Sequence, residues 1–184
     1  MPIQNRLIET ARLFETLCTV DALRWGFEHV KRNDGAPGID GVTTEAFETR
    51  LDEELTRLQQ ELSDWSYQPQ AVRRVEIPKD VGRGVRLLGI PTVRDRVVQT
   101  TLKALLEPLF DPHFSTYSYG FRPGRNPQQA LQAAQQIVRG GKGYVVDIDL
   151  EKFFDRIHHD RLIARLGQRI TDPKHPAPHW NHVT

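Results

Sequence analysis

The sequence predicts an α+β fold, and three observations predict it. Apolar residues recur at helical spacing through residues 19–62. The period then changes to short β-like runs on either side of a glycine-rich segment. Further along, a second well-capped helical segment precedes an apolar run that carries acidic residues. Helices and strands are therefore expected to follow one another in distinct parts of the chain.

Two helices account for the first third of the chain. Thr19 can cap a helix that runs through about Lys31, and residues 33–38 end it because they combine two glycines, a proline and Asn-Asp. A second helix is predicted after Thr43. It carries apolar residues at a spacing close to 3.6: Phe47, Leu51, Leu55, Leu58 and Leu62.

The middle of the chain predicts a β-hairpin followed by a helix. Residues 72–78 and 85–90 are the β-like runs, and the glycines between them suit a hairpin tip. Thr92 then caps a helix that Pro108 is expected to end.

The last part of the chain predicts a helix, a strand and a short helix. Asn126 and Pro127 provide the N-cap and the first-turn residue of the first helix. Residues 144–150 are predicted to form the strand, and His158 or Asp160 opens the short helix.

The composition excludes two classes of protein. No apolar run approaches the ~20 residues that span a bilayer, and no secretory pattern opens the chain. Cys18 is the single cysteine, so no internal disulfide can form. We therefore expect a cytoplasmic protein with no membrane partner.

The net charge of +1 conceals an uneven distribution. Residues 67–125 carry ten Lys and Arg against five Asp and Glu, whereas residues 1–66 carry seven against thirteen. This basic island, residues 67–125, is consistent with a surface that binds a polyanion, although charge alone favours an ordinary solvated face.

The acidic residues of the predicted strand suggest a metal site. Asp147 and Asp149 would share one face of it, and two carboxylates beside an apolar core are costly unless they are neutralised. Mg²⁺ would neutralise them, because it prefers carboxylate oxygens together with a substrate phosphate. The alternative is an exposed strand end whose aspartates cap the following turn. The spacing leaves both open.

Four sequence blocks, in order over about residues 25–168, resemble reverse transcriptases encoded by group II introns. Residues 35–42 (GAPGIDGV) resemble the N-terminal extension of these enzymes, and residues 77–99 resemble their first block. Residues 118–125 (SYGFRPGR) and 145–155 (VVDIDLEKFFD) resemble the second and third blocks. One departure is Leu87, where the family usually has proline.

The resemblance implies a fingers and palm architecture. Residues 1–66 would form a helical N-terminal extension of the fingers, and residues 67–140 the fingers with the hairpin and helices. Residues 141–170 would begin the palm, and residues 171–184 would form a disordered tail outside the family pattern. The expected fold is α+β, truncated before the second half of the palm.

The resemblance also assigns roles to single residues. Asp149 is the catalytic carboxylate and a ligand of Mg²⁺, the main-chain carbonyl of Leu150 is a further ligand, and Asp147 lies behind them. Phe154 would lie under the sugar of the incoming deoxynucleotide. Lys79 and Arg86 would bind the triphosphate of the incoming deoxynucleotide. Four further arginines would contact the backbone of the template or primer: Arg94, Arg96, Arg122 and Arg125.

The implied function is RNA-directed DNA polymerase, a nucleotidyltransferase that uses an RNA template, a DNA primer and deoxynucleotides and that assists its intron RNA as a maturase. The Tyr-Ala-Asp-Asp block that supplies the family's other two catalytic carboxylates does not occur in this sequence. We therefore expect an incomplete, inactive fragment unless a partner polypeptide completes the palm. The alternatives are a non-catalytic remnant that binds intron RNA, and an inert decay product.

Overall fold

The computed structural model describes residues 12–78 and 84–170, and these divide into two compact units. The first unit holds the described residues up to Leu106 together with Ile170, and the second is Glu107–Arg169. Helices and one small sheet make up the regular structure, so the mixed class is confirmed. Within the described residues, no helix is both long and apolar enough to cross a membrane.

Five helices begin in the described part of the first unit. They are α1 (Leu13–Leu17), α2 (Val20–Arg32), α3 (Thr44–Glu48), α4 (Leu51–Ser63) and α5 (Val93–Phe110). The predicted cap at Thr19 is confirmed, because its side chain accepts a hydrogen bond from the N–H of Ala22, and Thr43 caps α3 in the same way through the N–H of Ala46. The single helix predicted after Thr43 is wrong in one respect, since a turn at residues 49–50 divides it into α3 and α4.

The predicted hairpin is confirmed to within one residue. Strands β1 (Arg73–Pro78) and β2 (Val85–Ile90) pair antiparallel, from Arg73 opposite Ile90 to Pro78 opposite Val85. This pair is the only sheet in the part of the chain that the structure describes.

The core of the first unit lies between α2, α4 and α5. Phe27, Leu55 and Leu58 are fully buried, and burial of one such side chain contributes about 1.5–3 kcal/mol. Helices α2 and α5 meet at Gly26. A Cβ atom at this position would lie 2.2 Å from Thr101 Oγ1 and 2.9 Å from the Val97 carbonyl oxygen, so the contact has no room for a side chain.

The second unit contains the end of α5, α6 (Pro127–Arg139) and α7 (His159–Gly167), with 3₁₀ turns at Asp111–His113 and Phe154–Arg156. The predicted cap of α6 is confirmed, since the Asn126 side chain and the Gln129 side chain each accept the other's backbone N–H. The prediction that Pro108 ends α5 is wrong. Proline lacks an N–H donor and crowds the preceding turn of a helix, yet α5 continues past it to Phe110.

The strand predicted over residues 144–150 is also wrong. This stretch joins no sheet among the described residues, and it is highly exposed, with Val145 and Ile148 each 82% accessible. A strand is stabilised by ladder hydrogen bonds and by burial of one face, and here neither is present. The exposure is general, since none of residues 107–169, all of which are described, is buried.

Candidate nucleotide and nucleic-acid site

The hairpin presents Arg86 to solvent. Arg86 lies opposite Ile77 near the free end of the two strands and is exposed. Because residues that pair directly share a face, Arg86 shares its face with Ile77, Val75 and Leu88. Lys79, the other predicted triphosphate ligand, lies outside the described residues. The structure therefore gives the position of one of the two cations.

The base of the hairpin is fastened to a buried carboxylate, that of Asp95, which is 1% exposed. Asp95 Oδ2 accepts the backbone N–H of Gln70 at 3.1 Å and the hydroxyl of Thr92 at 2.8 Å, and Oδ1 accepts the hydroxyl of Tyr67 at 2.6 Å. The backbone N–H of Asp95 donates in turn to Thr92 Oγ1 at 3.2 Å. Residue-by-residue analysis missed this cluster, although the spacing of Thr92 and Asp95 is that of a helix cap.

Two neighbours enclose the Asp95 cluster. Burial, together with the hydrogen bond to the Asp95 carboxylate and its charge, raises the pKa of Tyr67 far above its ordinary value. Arg94 lies over the Tyr67 ring, 5.2 Å from its centroid, and forms an ion pair with Glu61. The Arg94 side chain is only 14% exposed, and burial lowers its pKa. The contact of Arg94 with a nucleic-acid backbone stays a prediction. In this structure its positive charge is paired with Glu61 of the same unit.

Arg96 fastens the loop between α2 and α3. Its Nη2 donates to the carbonyl of Ala36 at 3.2 Å, and a Cβ atom at Gly35 would lie 2.3 Å from its Nη1. Gly38 also packs closely, since a Cβ atom there would lie 2.6 Å from Thr92 Cα. Burial lowers the pKa of Arg96. Glycine at these two positions lets the loop approach the start of α5, and the phosphate contact predicted for Arg96 stays untested.

Arg122 organises a loop in the second unit. Its Nε donates to Asp111 Oδ1 at 2.7 Å, and Nη2 donates to Asp111 Oδ2 at 3.2 Å and to the Asp111 carbonyl at 3.0 Å. Nη1 donates to the carbonyls of Ser115 and Ser118 at 2.8 and 3.1 Å. A guanidinium has five N–H donors, so every donor of Arg122 is used within its own loop.

We expect the Arg122 loop to loosen in acid. Hydrogen bonds from Arg122 hold the pKa of Asp111 below its ordinary value of 3.8. A lowered pKa means that this contact stabilises the fold above pH 3.8 and is lost as the pH falls through the lower, folded-state pKa. Amide hydrogen exchange of residues 114–125 across this pH range measures the effect. The Asp111→Asn variant should already exchange fast at neutral pH, and identical profiles for variant and wild type would contradict the assignment.

Arg125 lies in the same loop and contacts an aromatic ring. Its guanidinium carbon is 5.3 Å from the centroid of the Tyr119 ring. This contact leaves the guanidinium edge, which carries the N–H donors, outside the ring face. Of the four arginines predicted to contact nucleic acid, Arg125 is the one whose guanidinium forms no hydrogen bond or ion pair with another described residue, although its charge contributes to the lowered pKa of Asp111.

Asp149, the predicted catalytic carboxylate, lies in the exposed segment that precedes the second 3₁₀ turn. Its Oδ1 accepts the backbone N–H of Leu150 at 2.8 Å. This hydrogen bond joins adjacent residues, and the metal-binding role of Asp149 stays a prediction. Phe154, the predicted contact of the sugar, is 81% exposed and packs edge-to-face against Phe153 at 5.3 Å between centroids.

The described residues do not by themselves fit a two-magnesium centre. They contain no group of three or more His, Cys, Asp or Glu side chains placed to hold a metal ion. Asp149 provides one carboxylate, and two bound Mg²⁺ ions need several oxygen ligands at about 2.1 Å with near-octahedral geometry.

Arg86 and Asp95 lie within a stretch that matches a known family and that begins at residue 77, inside β1. Residues 77–183 match the family model described as reverse transcriptase (RNA-dependent DNA polymerase). The chain therefore belongs to the reverse transcriptase family, in its group II intron-encoded branch. The match continues through residues 171–183, which the sequence analysis placed outside the family pattern and whose structure lies outside the described residues.

Three curated relatives define the branch. The chain is 38% identical to Protein YkfC of Escherichia coli over 80% of its own length and 39% of the relative's. It is 32% identical to the group II intron-encoded protein LtrA of Lactococcus lactis over 89% of its length and 27% of the relative's. It is 32% identical to the putative COX1/OXI3 intron 1 protein of Saccharomyces cerevisiae over 87% and 19%. The chain thus spans well under half of each relative.

Proposed function

We propose that this chain supplies the nucleotide-binding and template-binding part of a group II intron reverse transcriptase. That enzyme adds deoxynucleotides to a primer 3′ end on an RNA template. The observation that carries the proposal is the exposed hairpin bearing Arg86, rooted on buried Asp95, inside the stretch that matches the family model. Membership of the family makes RNA the expected nucleic-acid partner.

Arg86 is the residue we assign to the incoming triphosphate. Its guanidinium is exposed, and a planar fork of donors binds phosphate oxygens in pairs. Lys79, which lies outside the described residues, would add a second positive charge. Phe154 would exclude a 2′-hydroxyl by contact with the sugar, because an aromatic ring leaves no space for the extra oxygen.

Asp149 supplies one carboxylate to the proposed catalytic centre, with the Leu150 carbonyl beside it. Bound Mg²⁺ would neutralise charge on the phosphates. The other carboxylates would come from a partner polypeptide that completes the palm. Support for such a partner comes from the exposure of Val145 and Ile148, which leaves an apolar segment of this chain uncovered by the described residues.

Primer extension tests the polymerase proposal. We expect no extension of an RNA-templated DNA primer by the chain alone in Mg²⁺, and extension when the region of LtrA beyond the matched part is added as a separate polypeptide. The Asp149→Ala variant should abolish that activity. Asp160→Ala is the matched control, because its carboxylate is 94% exposed on α7 of the same unit. Activity retained by Asp149→Ala, or no extension in the complemented mixture, would contradict the proposal.

A second candidate is a non-catalytic protein that binds intron RNA. The observation in its favour is that the described residues contain no group of three or more His, Cys, Asp or Glu side chains placed to hold a metal ion, whereas the sequence carries the basic island. Binding to a group II intron RNA should then weaken with salt, with a slope of log K against log salt of about −2 for three phosphate contacts to single strands. Binding without the complemented polymerase activity favours this candidate, and salt-independent binding excludes it.

A further inference from the structure

The hairpin has little support apart from its own strands. No residue of either strand is buried, and in β1 all residues except Arg73 and Val75 are exposed. A two-stranded hairpin is at best marginally stable by itself in water. Its direction relative to the helical core therefore depends on how its two ends are attached.

Both ends of the hairpin are attached to one carboxylate. Gln70 lies three residues before β1, and Thr92 lies two residues after β2. Asp95 Oδ2 accepts a hydrogen bond from each of them, from the Gln70 backbone at 3.1 Å and from the Thr92 hydroxyl at 2.8 Å. One oxygen atom thus joins the entry and the exit of the hairpin.

The carboxylate is itself rigidly held. Asp95 is in the first turn of α5, where the helix dipole favours a negative charge. Its other oxygen accepts the hydroxyl of Tyr67, and the ring of Tyr67 is covered by Arg94. Hydrogen bonds to a buried charge are stronger than those between neutral groups, and the side chain has almost no contact with water. The hydrogen bonds from Gln70 and Thr92 to Asp95, which together form a clamp, therefore fix the two strands relative to α5.

We propose that Asp95 is a positioning residue that sets the angle of the hairpin and so places Arg86 for the phosphates of a nucleoside triphosphate. The inference rests on the proposed function in one respect, the role of Arg86. The clamp itself rests on the contacts of Asp95 alone. Asp95 acts through Arg86 and does not touch the nucleotide.

Two substitutions, Asp95→Asn and Gln70→Pro, weaken the clamp in different ways. Asp95→Asn keeps the shape of the side chain and removes its charge. Gln70→Pro removes the entry N–H donor at an exposed residue, so that the buried core is unchanged if Asp95→Asn fails to fold. Gln70→Ala retains the N–H and is the matched control. Tyr67→Phe removes a hydrogen bond from the same carboxylate but leaves both hairpin attachments, so it separates positioning from general stability.

Two measurements are made on all four variants and on Arg86→Gln. Amide hydrogen exchange reports the hairpin and the helices α2 and α4 separately, and calorimetry reports the affinity for inorganic tripolyphosphate. Asp95→Asn and Gln70→Pro should speed exchange in β1 and β2 by about fivefold or more without changing α2 and α4. They should also weaken tripolyphosphate binding several-fold, while Gln70→Ala and Tyr67→Phe behave like the wild type.

The outcomes separate the clamp from the nucleotide role. If Arg86→Gln weakens tripolyphosphate binding and the clamp variants do not, the positioning role is overturned while the proposed function stands. If the wild type does not bind tripolyphosphate, the triphosphate role of Arg86 fails, and hairpin exchange alone decides the clamp. The clamp is overturned if amide exchange in the hairpin is unchanged in Gln70→Pro. It is also overturned if Tyr67→Phe raises this exchange as much as Gln70→Pro does.

Discussion

Gly26→Ala should lower the free energy of unfolding by about 2 kcal/mol, although alanine is the better helix former by about 1 kcal/mol. The new Cβ atom would lie 2.2 Å from Thr101 Oγ1 and 2.9 Å from the Val97 carbonyl oxygen. The hydroxyl of Thr101 already donates to that carbonyl at 2.9 Å and to the Ala22 carbonyl at 3.3 Å. To accept a methyl group, α2 and α5 must therefore separate and loosen the core. Urea denaturation followed by circular dichroism measures the loss.

A matched glycine provides the control for Gly26. Gly167 is the last residue of α7, and a Cβ atom there would meet nothing within 4 Å. Gly167→Ala should leave stability unchanged or raise it slightly. The double variant with Thr101→Ala should recover only part of the loss at Gly26, because the Val97 carbonyl remains close. A Gly26→Ala protein as stable as the wild type would show that α2 and α5 do not meet as described.

Arg122→Lys should release its loop even though the positive charge is kept. Lysine offers three donors from one point and cannot reproduce the planar fork that bonds Asp111, Ser115 and Ser118 together. Three carbonyl oxygens and a carboxylate would lose their donors in different directions. We expect amide exchange in residues 114–125 to rise by about tenfold.

Arg125→Lys is the control for Arg122, because it changes a neighbouring arginine whose described contact is with a ring. Its loop amides should exchange at nearly the wild-type rate. RNA affinity measured on the same two variants tests the predicted backbone contacts independently of loop order. Equal exchange in both variants would contradict a special role for Arg122.

Local signals in the sequence were sufficient for the caps and the hairpin. Thr19, Thr43 and Asn126 accept hydrogen bonds from N–H groups three residues further on, so each of these caps depends only on nearby residues. The hairpin strands also follow from a local change of period and a glycine-rich connection. The strand predicted over residues 144–150 failed for the opposite reason. A strand needs a partner, and the identity of a partner is not a local property.

The partners of each arginine in the site could not be predicted from the sequence. Arg96 donates to a carbonyl sixty residues earlier in the chain, and Arg94 pairs with Glu61 across two strands and a connecting segment. A basic residue in a family block can bind phosphate or brace a loop, and only the positions of distant acceptors distinguish these uses. Asp95 was overlooked for the same reason, since its partners at Tyr67 and Gln70 precede it by more than twenty residues.

The second unit has a thermodynamic consequence, because none of residues 107–169 is buried. The heat capacity increment on melting scales with the apolar area that becomes hydrated. Nearly all of that increment would therefore originate in the first unit. A calorimetric scan of the whole chain should resemble that of the first unit alone.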